Sequence, residues 1–186
     1  MLKNANYIYD NIIIADEKTT TKQYCKKAQV GVDLSVKCIS EFITPGKVLN
    51  SKTYAAKTTL INKQTFFTED TGEKTGWFLA PGTYNLTLNE GCKFGPNDTG
   101  LIIMRSSLNR CGVSIFSAVW DPGFTTQENE KINEMNIRIS VDNKDGFYLE
   151  ENSRVAQLLV FENEDTNLYD GQWQSGRTTS KLTEEK

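Results

Sequence analysis

Residues 105–110 concentrate side chains that bind phosphate. The segment reads Arg-Ser-Ser-Leu-Asn-Arg, so the hydroxyls of Ser106 and Ser107 lie between the guanidinium groups of Arg105 and Arg110. Hydroxyls, free backbone amides and guanidiniums bind phosphate oxygens through charge-assisted hydrogen bonds. A serine-capped turn with solvated arginines would give the same pattern. Taken alone, the segment is compatible with a phosphate site and with an ordinary turn.

Further polar groups lie within or directly after apolar runs. Asp33 interrupts one run, and Asp121 begins an Asp-Pro-Gly turn that follows another. Arg154 and Gln157 lie in a third run, and Tyr169 precedes a glycine-containing stretch near the C-terminus. Taken singly, each has an ordinary structural explanation as an outward-facing strand residue, a turn or a polar terminus.

The absence of histidine restricts the possible chemistry. The chain has no histidine, which excludes Ser-His triads, Cys-His dyads and histidine-ligated zinc. Its four cysteines form no Cys-x-x-Cys pair, which argues against a thiolate zinc site. Any catalysis must therefore use carboxylates, arginines, lysines, hydroxyls, backbone amides or a metal ion held by oxygen.

The elements that carry these groups are predicted to be strands. Short runs rich in β-branched or aromatic residues, separated by Pro-Gly, Asp-Pro-Gly and similar turns, predict strands at residues 12–15, 31–39, 84–88, 100–104, 113–120, 136–141 and 154–161. Helical periodicity is weak, with short candidates at residues 128–135 and in the first ten residues. Many short strands at regular spacing predict an all-β barrel or jelly roll.

Length and charge are typical of one small globular domain. The chain has 186 residues, a formal net charge of −3, 38% hydrophobic and 24% charged residues. We expect a single domain over residues 1–176 and a mobile polar tail over residues 177–186. The slight acidic excess gives no reason to expect nucleic-acid binding. With no long apolar run or export signal, we expect no membrane partner and a cytoplasmic location.

The order and spacing of these segments resemble the superfamily of trimeric dUTP diphosphatases and dCTP deaminases. The matching motifs are Gln29-x-Gly31-x-Asp33-Leu34, Pro81-Gly82 followed by Leu86-Thr87-Leu88, Arg105-Ser106-Ser107-Leu108-x-Arg110-x-Gly112, Asp121-Pro122-Gly123-Phe124, Arg154-x-Ala156-Gln157-Leu158 and Tyr169-x-Gly171-Gln172. The last resembles the ending of the deaminase-like branch. The resemblance implies a distorted jelly roll that forms a homotrimer with active sites between subunits.

The resemblance also implies a role for each motif. The triphosphate would be held by Arg105, Ser106, Ser107, Arg110 and Gln157. Arg110 would also be catalytic, with Asp121, and Arg154 would bind the substrate. Backbone groups at Ser117, Ala118 and Val119 would read the pyrimidine edge. Phe124 would pack on the sugar and exclude a 2′-hydroxyl, and Asp33 would orient hydrated Mg²⁺. The C-terminal flap would close over the ligand with Tyr169, Gln172 and Arg177.

Two reactions use this kind of pocket. In the diphosphatases, an aspartate at the position of Asp121 activates the water that attacks the α-phosphorus, with Mg²⁺ and arginines neutralising charge. In the deaminases, a glutamate in a pattern like I-T-L-E-L-x-N moves protons on the cytosine amino group. Here that strand covers residues 137–143, and Ser140 occupies the glutamate position. We therefore expect hydrolysis of dUTP to dUMP and pyrophosphate.

Two alternatives stay open. Residues 125–135 form an apparent insertion that contains Glu128, Glu130 and Glu134, and one of these acids, or Asp142, could serve a dCTP deaminase or a bifunctional enzyme. The chain also departs from the motifs, with Leu168 in place of a lysine, Trp120 in place of a small aliphatic residue and Ala118 in place of a glycine. These departures are compatible with a modified pyrimidine substrate, or with a non-catalytic trimer that binds nucleotides or regulates a partner.

Overall fold

Strands make up most of the protein. The computed structural model describes residues 1–14, 21–129, 131–164, 167–171 and 173–174. Its strands are β1 (Ile13–Ile14), β2 (Lys26–Lys27), β3 (Val32–Phe42), β4 (Lys47–Val48), β5 (Thr53–Tyr54), β6 (Thr58–Leu60), β7 (Gln64–Thr68), β8 (Gly72–Leu79), β9 (Gly82–Leu88), β10 (Gly91–Cys92), β11 (Asp98–Met104), β12 (Val113–Phe116), β13 (Val119–Trp120), β14 (Gln127–Glu128), β15 (Lys131–Ile132), β16 (Asn136–Val141), β17 (Phe147–Glu150) and β18 (Arg154–Glu162). The helical elements are α1 (Ala5–Tyr7), a π-helical turn (Ile8–Ile12), a 3₁₀ turn (Thr21–Gln23) and α2 (Ser106–Arg110).

Strand β3 joins the two halves of a curled nine-stranded sheet. Its first half pairs with β18 and β2, and its second half pairs with β9 and β6. The sheet runs β12-β16-β9-β3-β18-β11-β13, and every pairing among the described strands is antiparallel. This arrangement confirms the expected predominance of β structure.

The core lies on the inner face of this sheet. Strand β16 shows the pattern, because Ile137, Ile139 and Val141 are buried whereas Arg138, between them, is exposed. Period-two alternation of this kind places one face of a strand in the core and the other outside it. At the N-terminus, Asn4 caps α1 through its side-chain oxygen, and the π-helical turn buries its first and last isoleucines, which confirms the short helical candidate there.

The predicted strand at residues 113–120 is in fact two strands. Strand β12 pairs with β16, whereas β13 pairs with β11 on the opposite edge of the sheet. The chain crosses between these partners at Ser117 and Ala118, which belong to neither strand. The sequence gives no sign of the break because the run of apolar residues continues through it.

The predicted helix at residues 128–135 is wrong. Strands β14 and β15 form a hairpin there, and Asn129 at its turn has a left-handed φ of 55°. A left-handed residue ends a right-handed helix, and asparagine tolerates that conformation better than most residues. The hairpin returns the chain to the core at Met135, whose backbone N–H donates to the Glu90 carbonyl at 2.9 Å.

A second, three-stranded sheet was missed by the sequence analysis. It has the order β17-β8-β7 and carries an aromatic cluster on its surface, in which Tyr148 contacts Phe66 and Phe78 at ring-centroid distances of 5.1 and 4.8 Å. Its apolar stretches are short, namely Phe66-Phe67, Trp77-Phe78-Leu79 and Phe147-Tyr148-Leu149, and were not assigned to strands. In the described part of the chain, none of the helical elements has the length and apolar character needed to span a membrane.

Glu90 is a buried carboxylate between β9 and β10. The backbone N–H of Ser35 donates to its two oxygens at 3.0 and 3.3 Å, and the Ser35 hydroxyl donates to Oε1 at 2.6 Å. Asn89 donates in turn to the Ser35 hydroxyl oxygen at 2.9 Å. Burial raises the pKa of Glu90 from 4.5 to about 7, although the hydrogen bonds from Ser35 oppose that rise.

This raised pKa predicts a pH-dependent stability. The folded state binds the Glu90 proton more tightly than the unfolded state, so its contribution is complete below pH 4.5 and is lost as the pH rises through about 7. At about 1.4 kcal/mol per pKa unit, we expect this group to lower the unfolding free energy by about 2 kcal/mol between pH 5 and pH 8. Urea unfolding of wild type and Glu90→Gln at both pH values measures this effect. Equal pH dependence in the two proteins would contradict it.

Candidate active site

An ion-pair cluster lies where α2 meets the central strands. Nε of Arg105 lies 3.2 Å, and a terminal nitrogen of Arg154 lies 3.4 Å, from the same carboxylate oxygen of Asp33. Arg105 also donates to the Arg154 carbonyl at 3.0 Å. The Asp33 side chain is 9% exposed, whereas those of the arginines are 31% and 36% exposed. Each guanidinium is thus fixed on one side by Asp33 and remains accessible on the other to an anion. We call these three residues the arginine cluster.

A β-bulge brings Arg154 into this cluster. Gln157 on β18 lies opposite Asp33 on β3, so their side chains share one sheet face. In an unbroken register, Arg154 would point to the opposite face because it lies an odd number of residues from Gln157. The register shifts between Arg154 and Ala156, which places Arg154 opposite Ser35, on the face of Asp33. The bulge therefore aims both Arg154 and Gln157 at the same surface.

The remaining predicted phosphate ligands follow directly along the chain. Arg105 immediately precedes α2, and Ser106 and Ser107 form its first turn. Arg110 at the other end of α2 reaches back to the Ser106 hydroxyl at 3.5 Å. The backbone N–H of Arg105 donates to the Val155 carbonyl at 3.2 Å, which ties the start of α2 to the bulge.

A separate cavity of about 610 Å³ opens beside the break between β12 and β13. We call it the aromatic cavity. Its aromatic lining consists of Phe116, Trp120, Phe124, Tyr169 and Trp173. Its polar lining consists of Asn85, Ser117, Asp121, Asn136 and Arg138, and Ala118, Val119 and Ile137 complete it. It thus brings together the residues predicted to bind the base and the sugar, with Asp121, the predicted catalytic aspartate, beside them.

The aromatic rings of this cavity are packed edge to face. Phe124 contacts Trp120 at 5.1 Å and Tyr169 at 5.4 Å between ring centroids, with interplanar angles of 80° and 65°. Trp120 also donates from its indole nitrogen to the Ser117 hydroxyl oxygen at 2.9 Å. The unexpected tryptophan therefore fixes one end of the strand break and supports the ring of Phe124.

The C-terminal segment lies against the Asp-Pro-Gly turn. The backbone N–H of Tyr169 donates to the Pro122 carbonyl at 2.8 Å, and the Gln174 side chain donates to the Gly123 carbonyl at 3.2 Å. Gly123 has a left-handed φ of 76°, and a Cβ there would lie 3.2 Å from that of Leu168. Leu168, where a lysine was expected, thus packs on the turn. The predicted flap residues Gln172 and Arg177 lie outside the described residues.

Asp121 is the acidic side chain among the described residues that line the aromatic cavity. Strand β16 supplies Asn136, Ile137 and Arg138 to the lining and contains no carboxylate along its length. Ser140 lies further along and donates to Asp142 at 2.9 Å, and neither of them lines the cavity. Whichever residue of β16 is aligned with the deaminase glutamate, the strand therefore offers no acid.

The acids of the insertion are also placed away from this cavity. Glu134 forms an ion pair with Lys37 on β3. Glu128 lies in the hairpin and does not line the cavity, and Glu130 lies outside the described residues. The insertion leaves the alignment with the deaminase glutamate ambiguous in sequence. In the structure, neither Glu128 nor Glu134 lines the aromatic cavity.

The described residues do not form a resident metal site. They contain no group of three or more cysteine, aspartate or glutamate side chains that could hold a metal ion. Asp33, the expected outer-sphere ligand of Mg²⁺, is engaged by two guanidiniums. Mg²⁺ commonly binds through substrate phosphates, water and one or two carboxylates. These residues therefore fit an ion that arrives already bound to a triphosphate better than one held by the protein itself.

Six residues that line the aromatic cavity were not among the predicted site residues, namely Asn85, Phe116, Asn136, Ile137, Arg138 and Trp173. Arg138 and Asn136 reach the cavity from β16, and Trp173 reaches it from the C-terminal segment. Alternation along β16 marks Asn136 and Arg138 as outward-facing, but it does not indicate that β12 and the C-terminal segment enclose that face. Conversely, the arginine cluster and the aromatic cavity have no residue in common. The predicted phosphate and base ligands thus form two separate groups within one chain.

Removal of the Asp33 charge tests the arginine cluster. Asp33→Asn leaves two close guanidiniums without their shared counter-charge, and we expect a loss of about 2 kcal/mol in unfolding free energy. Asp10→Asn is the matched control, because Asp10 lies 3.9 Å from Lys27 in an exposed pair and should cost less than about 0.5 kcal/mol. Urea unfolding of both variants at neutral pH measures the difference. Similar losses in the two variants would rule out the proposed role of Asp33.

Comparisons with known proteins show which family the chain is similar to. The dCTP deaminase-like family model matches residues 5–163. The "Probable deoxyuridine 5'-triphosphate nucleotidohydrolase" of Halobacterium salinarum is 31% identical over 152 residues, covering 81% of this chain and 84% of that protein. The protein of the same name from Methanococcoides burtonii is 34% identical over 134 residues, covering 70% and 69%.

Among solved structures, the chain matches 2'-deoxycytidine 5'-triphosphate deaminase from Agrobacterium tumefaciens with a TM-score of 0.48 and 12% identity. The match covers 80% of this chain and 47% of the deaminase, so the chain spans about half of that protein's length. The family model and the archaeal relatives confirm the resemblance found in the sequence motifs. This chain belongs to the dCTP deaminase-like family.

Proposed function

We propose that this protein hydrolyses dUTP to dUMP and pyrophosphate. The observation that carries the proposal is the acid content of the aromatic cavity: Asp121 lies in it, and β16 brings no carboxylate to it. Hydrolysis needs a base beside the phosphate chain, whereas deamination needs an acid that can reach the amino group of the pyrimidine. The names of the archaeal relatives support the same reaction.

In this mechanism Asp121 is the general base. Its carboxylate accepts a proton from a water molecule as the water oxygen forms a bond to the α-phosphorus. The bond between the α-phosphorus and the bridging oxygen to the β-phosphate breaks, and pyrophosphate leaves with that electron pair. A carboxylate positioned for such a transfer accelerates it by about 10²–10⁴-fold.

The arginine cluster and α2 would bind the triphosphate. Arg105 and Arg154 present guanidiniums whose orientation Asp33 fixes, and Ser106, Ser107 and Arg110 extend the donor surface along α2. Gln157 adds an amide on the same sheet face. Donors fixed before the reaction stabilise charge that develops on the phosphate oxygens. Mg²⁺ carried by the triphosphate supplies further neutralisation.

The aromatic cavity would receive the nucleoside. Ser117 and Ala118 lie between two strand pairings, and their backbone groups, with those of Val119, would bind the edge of the base. The ring of Phe124, fixed between Trp120 and Tyr169, would pack on the deoxyribose and leave no room for a 2′-hydroxyl. Gln172 remains a proposed flap residue.

The separation of the two groups supports assembly between copies. The proposed triphosphate ligands Ser107 and Arg154 line a different cavity from the one lined by the base ligands. We infer that the arginine cluster of one copy faces the aromatic cavity of another in a homotrimer with the distorted jelly-roll fold of this family. Closed cyclic symmetry would repeat the same composite site three times.

Product analysis tests the reaction and the role of Asp121 together. Wild-type protein with Mg²⁺ should release pyrophosphate and dUMP from dUTP, with no ammonia from dCTP, and EDTA should abolish the release. Asp121→Asn should lower kcat by about a thousandfold while it changes dUTP affinity little, because the amide keeps the shape but accepts no proton. Chromatography of the nucleotide products and an ammonia assay read both reactions.

Asp142→Asn is the matched control. It removes an acid at the end of β16 that lies outside the cavity, and it keeps an acceptor for the Ser140 hydroxyl. We expect wild-type rates from this variant. Ammonia released from dCTP would overturn the proposed reaction, and unchanged hydrolysis by Asp121→Asn would exclude Asp121 as the base. Binding of dUTP without turnover would instead indicate a nucleotide-binding or regulatory protein.

A further inference from the structure

Arg138 places a guanidinium in the lining of the aromatic cavity. It lies on the outward face of β16, and its guanidinium carbon is 4.3 Å from the ring centroid of Phe116. The two residues are direct partners in the β12–β16 ladder. An arginine over an aromatic face is held in position without the use of its hydrogen-bond donors. These donors are therefore available to a ligand.

Arg138 forms no ion pair in the described part of the chain, and Asp121 is the carboxylate that lines the same cavity. Glu134, four residues before Arg138, pairs with Lys37. On the other neighbouring strand Arg138 lies opposite Asn85, whose amide donates to Asn136 at 3.3 Å. The Arg138 guanidinium thus lies beside the neutral side-chain amides of Asn85 and Asn136.

A guanidinium in this position distinguishes uracil from cytosine. Guanidinium groups donate hydrogen bonds and accept none. Position 4 of uracil is a keto oxygen, which accepts, whereas position 4 of cytosine is an amino group, which donates. If the 4-amino group of cytosine faced the Arg138 guanidinium, neither donor would have an acceptor. Removing an unpaired donor from water costs binding free energy. Arg138 would therefore favour uracil and disfavour cytosine.

We infer that Arg138 determines substrate specificity by donating a hydrogen bond to the 4-keto oxygen of the pyrimidine. The inference rests on the proposed function in one respect, namely that the aromatic cavity receives the base. The position of Arg138 supports a role at the base, since it adjoins Phe116, the residue immediately before the strand break at Ser117 and Ala118. The phosphate donors of the chain lie elsewhere, in the arginine cluster and α2.

A cycle of two ligands and two proteins tests this contact. The ligands are the α,β-imido analogue of dUTP, which resists hydrolysis, and the same analogue with pyrimidin-2-one as its base, which lacks both the 4-oxygen and the hydrogen on N3. Titration calorimetry gives the affinity of each for wild type and for Arg138→Gln. We expect wild type to bind the first ligand about 10- to 100-fold more tightly than the second, as found for sites built around one polar substrate group.

In Arg138→Gln we expect the ratio of the two affinities to be about tenfold smaller than in wild type, because the contact to the 4-oxygen is absent for both ligands while the contacts to N3 are unchanged. Arg138→Lys keeps a donor and should retain part of the preference, which separates a direct contact from a loss of local structure. Lys52→Gln is the matched control, since Lys52 lies 5.2 Å from the Tyr54 ring, a cation over an aromatic ring outside the cavity. It should behave as wild type.

Two results would overturn the inference. If Arg138→Gln weakens both ligands by the same factor, Arg138 contacts the phosphates or the sugar instead of the 4-oxygen. If wild type binds both ligands equally, no donor reads that oxygen. The cycle measures binding alone, so its outcome is independent of turnover. If the cycle shows the expected preference but the protein does not hydrolyse dUTP, the proposed function is refuted and the role of Arg138 stands. If the protein hydrolyses dUTP but the cycle shows no such preference, the role of Arg138 is refuted and the proposed function stands.

Discussion

The candidate site depends on one carboxylate oxygen shared by two arginines. Asp33 lies on β3, the strand common to both halves of the large sheet, and it binds Arg154 on the neighbouring β18 and Arg105 at the start of α2. Two adjacent guanidiniums repel each other, so their close approach requires this negative charge between them. The bulge in β18 exists at the point where Arg154 must turn towards Asp33. The β-bulge in β18 and the position of the Arg154 guanidinium beside Asp33 are therefore parts of the same structural feature.

The aromatic cavity depends on a different constraint, the transfer of the chain from one edge of the sheet to the other. Between β12 and β13 the backbone leaves one partner strand before it joins the next, and this break forms the cavity wall. The same transfer carries Asp121 and Phe124 to the cavity, where Tyr169 of the C-terminal segment hydrogen-bonds to Pro122 and packs on Phe124. A cavity with one aspartate, an arginine and no strand-borne glutamate suits hydrolysis of a uracil nucleotide better than deamination of a cytosine nucleotide.

Sequence patterns identified most of the central strands because alternating burial leaves a clear apolar signal, as in β16. They failed where that signal is absent or ambiguous. Strands β7 and β8 contain apolar stretches of only two and three residues beside polar ones. The acidic stretch after Phe124 has a helix-like pattern, and the left-handed φ of Asn129 that excludes a helix cannot be seen in the sequence. The motif residues were found by their order along the chain. Their division into an arginine cluster and an aromatic cavity depends on the bulge and on the strand crossing, which no local pattern records.

The central claim is that one copy supplies the phosphate ligands and another the catalytic aspartate. Co-expression of Arg110→Ala and Asp121→Asn chains with different tags, followed by isolation of assemblies that contain both, tests it by the rate of pyrophosphate release from dUTP. In a mixed trimer with composite sites, one site in three has both residues intact, so we expect about one third of the wild-type rate although each parent is inactive. Mixed assemblies as inactive as their parents would show that Arg110 and Asp121 act within a single chain, and would contradict the account.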